Sequence, residues 1–134
     1  MPATQRKFKI YVPKLTAFDI LKGILFFVDR KGNYSCNPRK YNSFFLKASK
    51  EYHELFEDVV FDDDPFLPYS EDLERAYTSA MEFNILSRPN PDIYPCAISA
   101  SEARLEADIK NKFTKDQIRK LQALAKEFQK ELRE

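Results

Sequence analysis

The chain has 134 residues, 43% hydrophobic and 32% charged, the profile of one globular domain large enough to fold without disulfides or a structural metal. Its 22 Lys and Arg nearly balance 21 Asp and Glu, for a formal net charge of +1, so no global field drives it onto nucleic acid or anionic lipid. Two glycines, Gly23 and Gly32, exclude the Rossmann fingerprint and the P-loop, and one histidine, His53, excludes an H-E-x-x-H zinc site. Cys36 and Cys96 lie far apart with no C-x-x-C partner and read as reduced structural thiols of a cytoplasmic protein. The segment Met1 to Lys9 lacks the apolar run of a signal peptide, and no stretch approaches the roughly 18 apolar residues of a membrane span.

Residues 1–7 read as a loose polar arm, and Phe8, Ile10 and Val12 alternate with Lys9 and Tyr11 as a short half-buried strand would. Thr16 and Asp19 resemble a capping box, and the apolar positions that follow predict a helix over about 17–30. Gly23 inside it marks close helix packing. A polar turn at 29–33 leads to Asn37-Pro38, a cap before a proline at the first helical position. Phe44, Phe45, Ala48, Tyr52, Leu55, Phe56 and Val59 recur at three- and four-residue steps, which predicts a second helix to about 57. Arg39, Lys40, Lys47 and Lys50 form a basic strip on it beside Asn42 and Ser43, either a solvated face or a set of phosphate contacts. His53 is read as solvated or satisfied, because no second histidine exists to share a metal.

Asp62, Asp63 and Asp64, with Glu57 and Asp58, make an acidic cluster. The cluster lacks the central glycine and alternating ligands of an EF-hand, which leaves a solvated loop, a metal site or a docking patch for a basic partner. Ser70 caps a third helix to about 84 whose first turn is acidic. Ile85 to Ser87 and Ile93 to Ile98 flank a proline-rich turn and predict a hairpin at about 85–98, with Pro95 confining the second strand to an edge. Ser99 or Ser101 caps a fourth helix to about 113, and Thr114 with Gln117 opens a fifth over 115–133. In the last, Ile118, Leu121, Ala125, Phe128 and Leu132 form a seam that Leu124 broadens. The helix is therefore expected to dock mainly in its own chain, with Phe128 and Leu132 the contacts if a partner shares the seam.

The order of helices followed by a hairpin invites a family comparison. Leu21 to Arg30, LKGILFFVDR, resembles the early helix of Panacea-type, SocA-like antitoxin domains, with their apolar Leu-Tyr-Phe-Ala-Asp-Arg run. Pro68-Tyr69-Ser70-Glu71-Asp72-Leu73 is similar to the Gly-Pro-Tyr-Ser-x-x-Leu run of related prokaryotic winged-helix-like domains, with Leu67 where their glycine stands. The resemblance covers about 16–100 and implies a non-enzymatic prokaryotic module that neutralises, recruits or regulates a partner protein, with DNA binding also open to it.

The expectation is thus a single domain over 1–134, mainly α with a small β-hairpin: the arm at 1–7, a winged-helix-like core at 8–100 and C-terminal helices at 101–134. Asp62, Asp63, Asp64, Phe128 and Leu132 are the candidate partner contacts. The alternative is a DNA-binding winged helix using Arg39, Lys40, Lys47, Lys50, Arg75 and Arg88, against which the three acids opening the third helix argue. An enzyme built on the acidic cluster or the Cys36 thiol lacks an assured base. No catalytic residue, metal ligand or cofactor is therefore assigned, and the chain is expected as a monomer or weak homodimer.

Overall fold

Capping side chains set where the helices begin. In the computed structural model, which describes residues 15–62, 64 and 66–134, the Thr16 hydroxyl accepts from the Asp19 N–H at 3.1 Å and the Asp19 carboxylate from the Thr16 N–H at 3.0 Å. These bonds satisfy two amides near the helix start and open α1, Ala17–Phe27. Asn37 accepts from the Arg39 N–H at the start of α2, Pro38–Glu51. Ser70 accepts from the Leu73 N–H to open α3, Glu71–Glu82. Of the two serines before α4, Glu102–Ile109, Ser101 is the cap, and Thr114 and Gln117 form the full box of α5, Lys115–Leu132. The arm at 1–7, the strand expected at 8–12 and Asp63 lie outside the described residues.

Helix ends follow the sequence less closely. Helix α2 stops at Glu51 rather than 57, and a 3₁₀ turn, His53–Leu55, carries Leu55 and Phe56 into the core. The three-and-four spacing persisted because those side chains are buried from a tighter coil; periodicity reports burial and not the backbone that achieves it. Helix α4 ends at Ile109 rather than 113, shortly before Asn111, whose φ of 65° is left-handed.

The expected hairpin is present as β2, Leu86–Ser87, and β3, Pro95–Ile98, with Leu86 opposite Ile98 and Ser87 opposite Ala97. A third strand, β1, Asn33–Ser35, pairs antiparallel with the other side of β3, giving the order β1-β3-β2. Strand β3 is therefore central and not the edge that Pro95 suggested. Pro95 stands at its first position, opposite Ser35 and beyond the end of β2, where a missing N–H is tolerated.

The same ladder overturns the expectation of two reduced thiols. Tyr34 lies opposite Cys96, the Cys36 N–H donates to the Tyr94 carbonyl at 2.9 Å, and the two cysteines are joined as a disulfide with Cα atoms 6.2 Å apart. Their pairing was hidden because β1, which brings Cys36 to β3, is only three residues long.

Helix α1 lies at the centre of the core, packed against α3, α4 and α5, with Ile20, Leu21, Ile24 and Leu25 fully buried. At Gly23 an added Cβ would come within 2.8 Å of Leu121 Cδ1, so the glycine admits α5 closely, as its position in the helix predicted. Phe128 on α5 meets Tyr34, Phe44 and Phe45 at ring separations of 5.6, 5.5 and 6.1 Å. The C-terminal helix is thus docked within its own chain. Phe128 and Leu132, 1% and 3% exposed, are core residues, which corrects their assignment as partner contacts. Among the described residues no helix is long and apolar enough to cross a membrane.

Candidate interaction surface

The most exposed apolar side chains gather around the segment between α2 and α3. The turn after His53–Leu55 is anchored by buried Val59, and the Val60 N–H donates to Asp72 at 2.9 Å. The Asp62 N–H donates to the Tyr69 carbonyl at 2.8 Å, closing the loop at its base. Asp64 does not face solvent idly: its Oδ1 accepts from the N–H groups of Phe66 and Leu67 at 2.8 and 3.2 Å, an Asx turn that shapes the tip. This geometry leaves Phe66 87% and Leu67 54% exposed.

The loop is tied down by a buried amide. Asn42, only 2% exposed, donates from Nδ2 to the Pro38 carbonyl at 2.8 Å and accepts on Oδ1 from the Ser70 N–H at 2.9 Å. It therefore belongs to the seam between α2 and α3 and not to the basic strip. Beneath it the rings of Tyr41 and Tyr77 stack with centroids 3.9 Å apart. Burial first, and then Glu74 and Tyr69, push the Tyr41 hydroxyl up to about 12, while Tyr77, buried with no partner for its hydroxyl among the described residues, lies well above the ordinary tyrosine value.

Above this floor an open cleft of about 520 Å³ is bordered by Arg39, Asp62, Asp64, Leu67, Tyr69 and Tyr94. Tyr94 comes from the turn between β2 and β3, where Arg88 donates to the carbonyls of Ile93 and Pro91 and lies 5.2 Å from the Tyr94 ring centre. Tyr69 donates its hydroxyl to Glu74, and that bond to a carboxylate is the first cause of its raised pKa. The structure thus brings Asp62 and Asp64 together with three apolar side chains the sequence reading did not single out. The signal for Leu67 and Tyr69 was the Pro65-Phe66-Leu67-Pro68-Tyr69 run, apolar residues between prolines with no helical or strand period to bury them, whereas Tyr94 in the hairpin turn carried no such signal.

Of the candidate nucleic-acid residues, Arg39, Lys40 and Lys47 border one open cleft on α2, shared with Glu131, and Arg75 and Arg88 line no part of it. Lys40 and Lys47 on α2 pair with Glu134 and Glu131 at 3.5 and 3.3 Å, Arg75 pairs with Glu71 on its own helix, and Arg88 is engaged in the β2–β3 turn. Arg39 and Lys50 are exposed on α2 and make no ion pair among the described residues. Among the described residues no three His, Cys, Asp or Glu side chains are grouped so as to hold a metal ion. No family model, curated protein or solved structure matches the chain.

Proposed function

We propose that the chain is a non-enzymatic protein-interaction module, antitoxin- or adaptor-like, that holds a basic, apolar-bearing segment of a partner between the 62–69 loop and the start of α2. The observation that carries this reading is the convergence of exposed Leu67, Tyr69 and Tyr94 with the Asp62 and Asp64 carboxylates on one cleft. Aromatic rings supply contact area at low conformational cost, and the flanking carboxylates select a cation. The order α1, β1, α2, α3, β2, β3, with β3 central in the sheet, is an order that winged helices share and supports that part of the reading.

The DNA-binding alternative draws less support. Helix α3, which would enter the major groove, carries four acids and one arginine, and that arginine is engaged by Glu71. The cytoplasmic setting rested on two free thiols, and with Cys36 and Cys96 bonded it loses that support. Trapping thiols at lysis of the native host reads their state directly.

Affinity capture from that host, with the wild type beside Asp62→Lys/Asp64→Lys and Tyr94→Ala, tests the interface. A stoichiometric protein kept by the wild type and lost by both variants supports it; retention by both variants refutes it. Duplex DNA should bind no more tightly than about 10⁻⁴–10⁻⁶ M at physiological salt. Nanomolar affinity for one sequence, lost in Arg75→Ala or Arg88→Ala, would select the alternative.

A further inference from the structure

We propose that the Cys36–Cys96 cystine is a two-electron switch on the candidate cleft: oxidised, it holds Tyr94 beside the start of α2, and reduced by a dithiol, it frees Tyr94 while the helical core stays folded. The cystine stands where two borders of the cleft begin. Asn37, Pro38 and Arg39 line the cleft and follow Cys36 directly, and Tyr94 lines it from two positions before Cys96. Apart from the cystine, the ties between these stretches among the described residues are the β1–β3 pairing, from Asn33 opposite Ala97 to Ser35 opposite Pro95, and the Cys36 N–H bond to the Tyr94 carbonyl at 2.9 Å. Pro95 has no N–H to add, and β2 reaches only Ala97 and Ile98.

The rest of the cleft and the first half of β1 are anchored elsewhere. Val60 and Ser70, at the two ends of the loop bearing Asp62, Asp64, Leu67 and Tyr69, bond to Asp72 and Asn42. Asn33 accepts from the Glu134 N–H, and Tyr34 donates its hydroxyl to the Asp29 carbonyl at 2.6 Å and packs on Phe128. The contacts of α1 with α3, α4 and α5 involve neither cysteine. In reduction, one thiolate of the dithiol bonds to a cystine sulfur and expels the other. The second thiol of the reductant then displaces the remaining protein sulfur to close its own disulfide, and two protons end on Cys36 and Cys96. Two thiols, unlike a cystine, each need their own van der Waals space. Cys96 is 0% and Cys36 7% exposed, so that space has to come from the strands parting. They part where least holds them, at Ser35 to Asn37 and Tyr94 to Cys96. This withdraws Tyr94 and leaves Asp62, Asp64, Leu67 and Tyr69 in place.

The consequence for a partner rests on the reading of this cleft as an interface; the motion does not, and backbone amide order parameters of the isolated full chain, oxidised and treated with dithiothreitol, test it alone. On reduction the Cys36 and Tyr94 amides should fall from about 0.85 to below about 0.6, with α1 and α5 staying near 0.85. Oxidised glutathione should restore them, and Cys36→Ser/Cys96→Ser should show the reduced pattern with no reductant. Unchanged order at Cys36 and Tyr94, loss of order throughout α1 and α5, or free thiols in the chain purified without reductant would each overturn the proposal. Affinity capture then separates the two readings. A protein kept by the wild type and lost by Asp62→Lys/Asp64→Lys should be kept several-fold less by the double serine variant, and equal retention overturns the switch. Capture of no such protein, with Tyr94 freed on reduction, refutes the partner reading and supports the switch.

Discussion

Asn42 shows how one side chain can hold two elements in register. Its amide oxygen is the acceptor for the buried Ser70 N–H, and its amide nitrogen answers the Pro38 carbonyl. Removing it leaves a buried donor without a partner, a loss of about 1–3 kcal/mol. Asn42→Ala is therefore expected to lower the unfolding free energy by that amount, read as a lower urea midpoint with an unchanged denaturant slope, and to loosen the loop between α2 and α3 first in hydrogen exchange. The tyrosines set the alkaline limit. Burial raises Tyr41 and Tyr52 to about 12, with Glu127 and Glu51 adding to the shift at Tyr52, and raises Tyr77 well above the ordinary tyrosine value. An acid whose folded pKa lies above its unfolded value of about 10 favours the fold fully below that pH, and the contribution is lost as pH rises through the folded value. Stability should thus be flat for these groups up to about pH 10 and fall between about 10 and 12. In a spectrophotometric titration part of the tyrosinate signal should appear only as the chain unfolds.

Between elements, the contact of α1 with α5 decides what Gly23 is for. Alanine there would gain up to about 1 kcal/mol in helix propensity, yet its Cβ would press on Leu121, which is fully buried. Overpacking a tight core by one methyl costs about 1–3 kcal/mol, the larger of the two effects. Gly23→Ala is expected to be destabilising by about 1 kcal/mol in the wild type and stabilising in a Leu121→Ala background. A double-mutant cycle by chemical denaturation reads this change of sign. Helices that share such a seam also explain the length of α2. Its straight course ends once Phe44, Phe45 and Ala48 are buried, and the 3₁₀ turn completes the job with Leu55.

Across the molecule the cystine joins positions 60 residues apart, linking β1 at the start of the helical pair α2–α3 to β3 beyond it. Closing a loop of that length removes entropy from the unfolded chain equivalent to about 4 kcal/mol. Reduction, or Cys36→Ser/Cys96→Ser, should therefore lower the melting temperature by roughly 10–15 °C for a domain of this size. Scanning calorimetry with and without reductant checks it; equal melting temperatures would mean the pair is not bonded in solution. The chain's end works in the same direction, since the Glu134 N–H donates to the Asn33 carbonyl at 2.8 Å and Arg133 pairs with Asp29 at 2.9 Å.

The sequence by itself determined what depends on neighbours three or four positions away. Thr16, Asn37, Ser70 and Thr114 announced the starts of α1, α2, α3 and α5 because a cap bonds within its own first turn. The apolar faces and the hairpin were legible for the same reason, as was the broad face that docks α5 on its own chain. The acidic half of the candidate surface, Asp62 and Asp64, was legible as a charge cluster. Only the tertiary structure decided the rest. Strand β1 is too short to show an alternation and exists because β3 offers it a partner, and that pairing makes β3 central and brings Cys36 to Cys96. Asn42 looked like a solvated helix residue until the Ser70 amide was placed against it, and Tyr94 joined Leu67 and Tyr69 only when the hairpin turn folded beside the loop. These contacts link residues tens of positions apart, and their energies depend on where the whole chain places them, which no local pattern encodes.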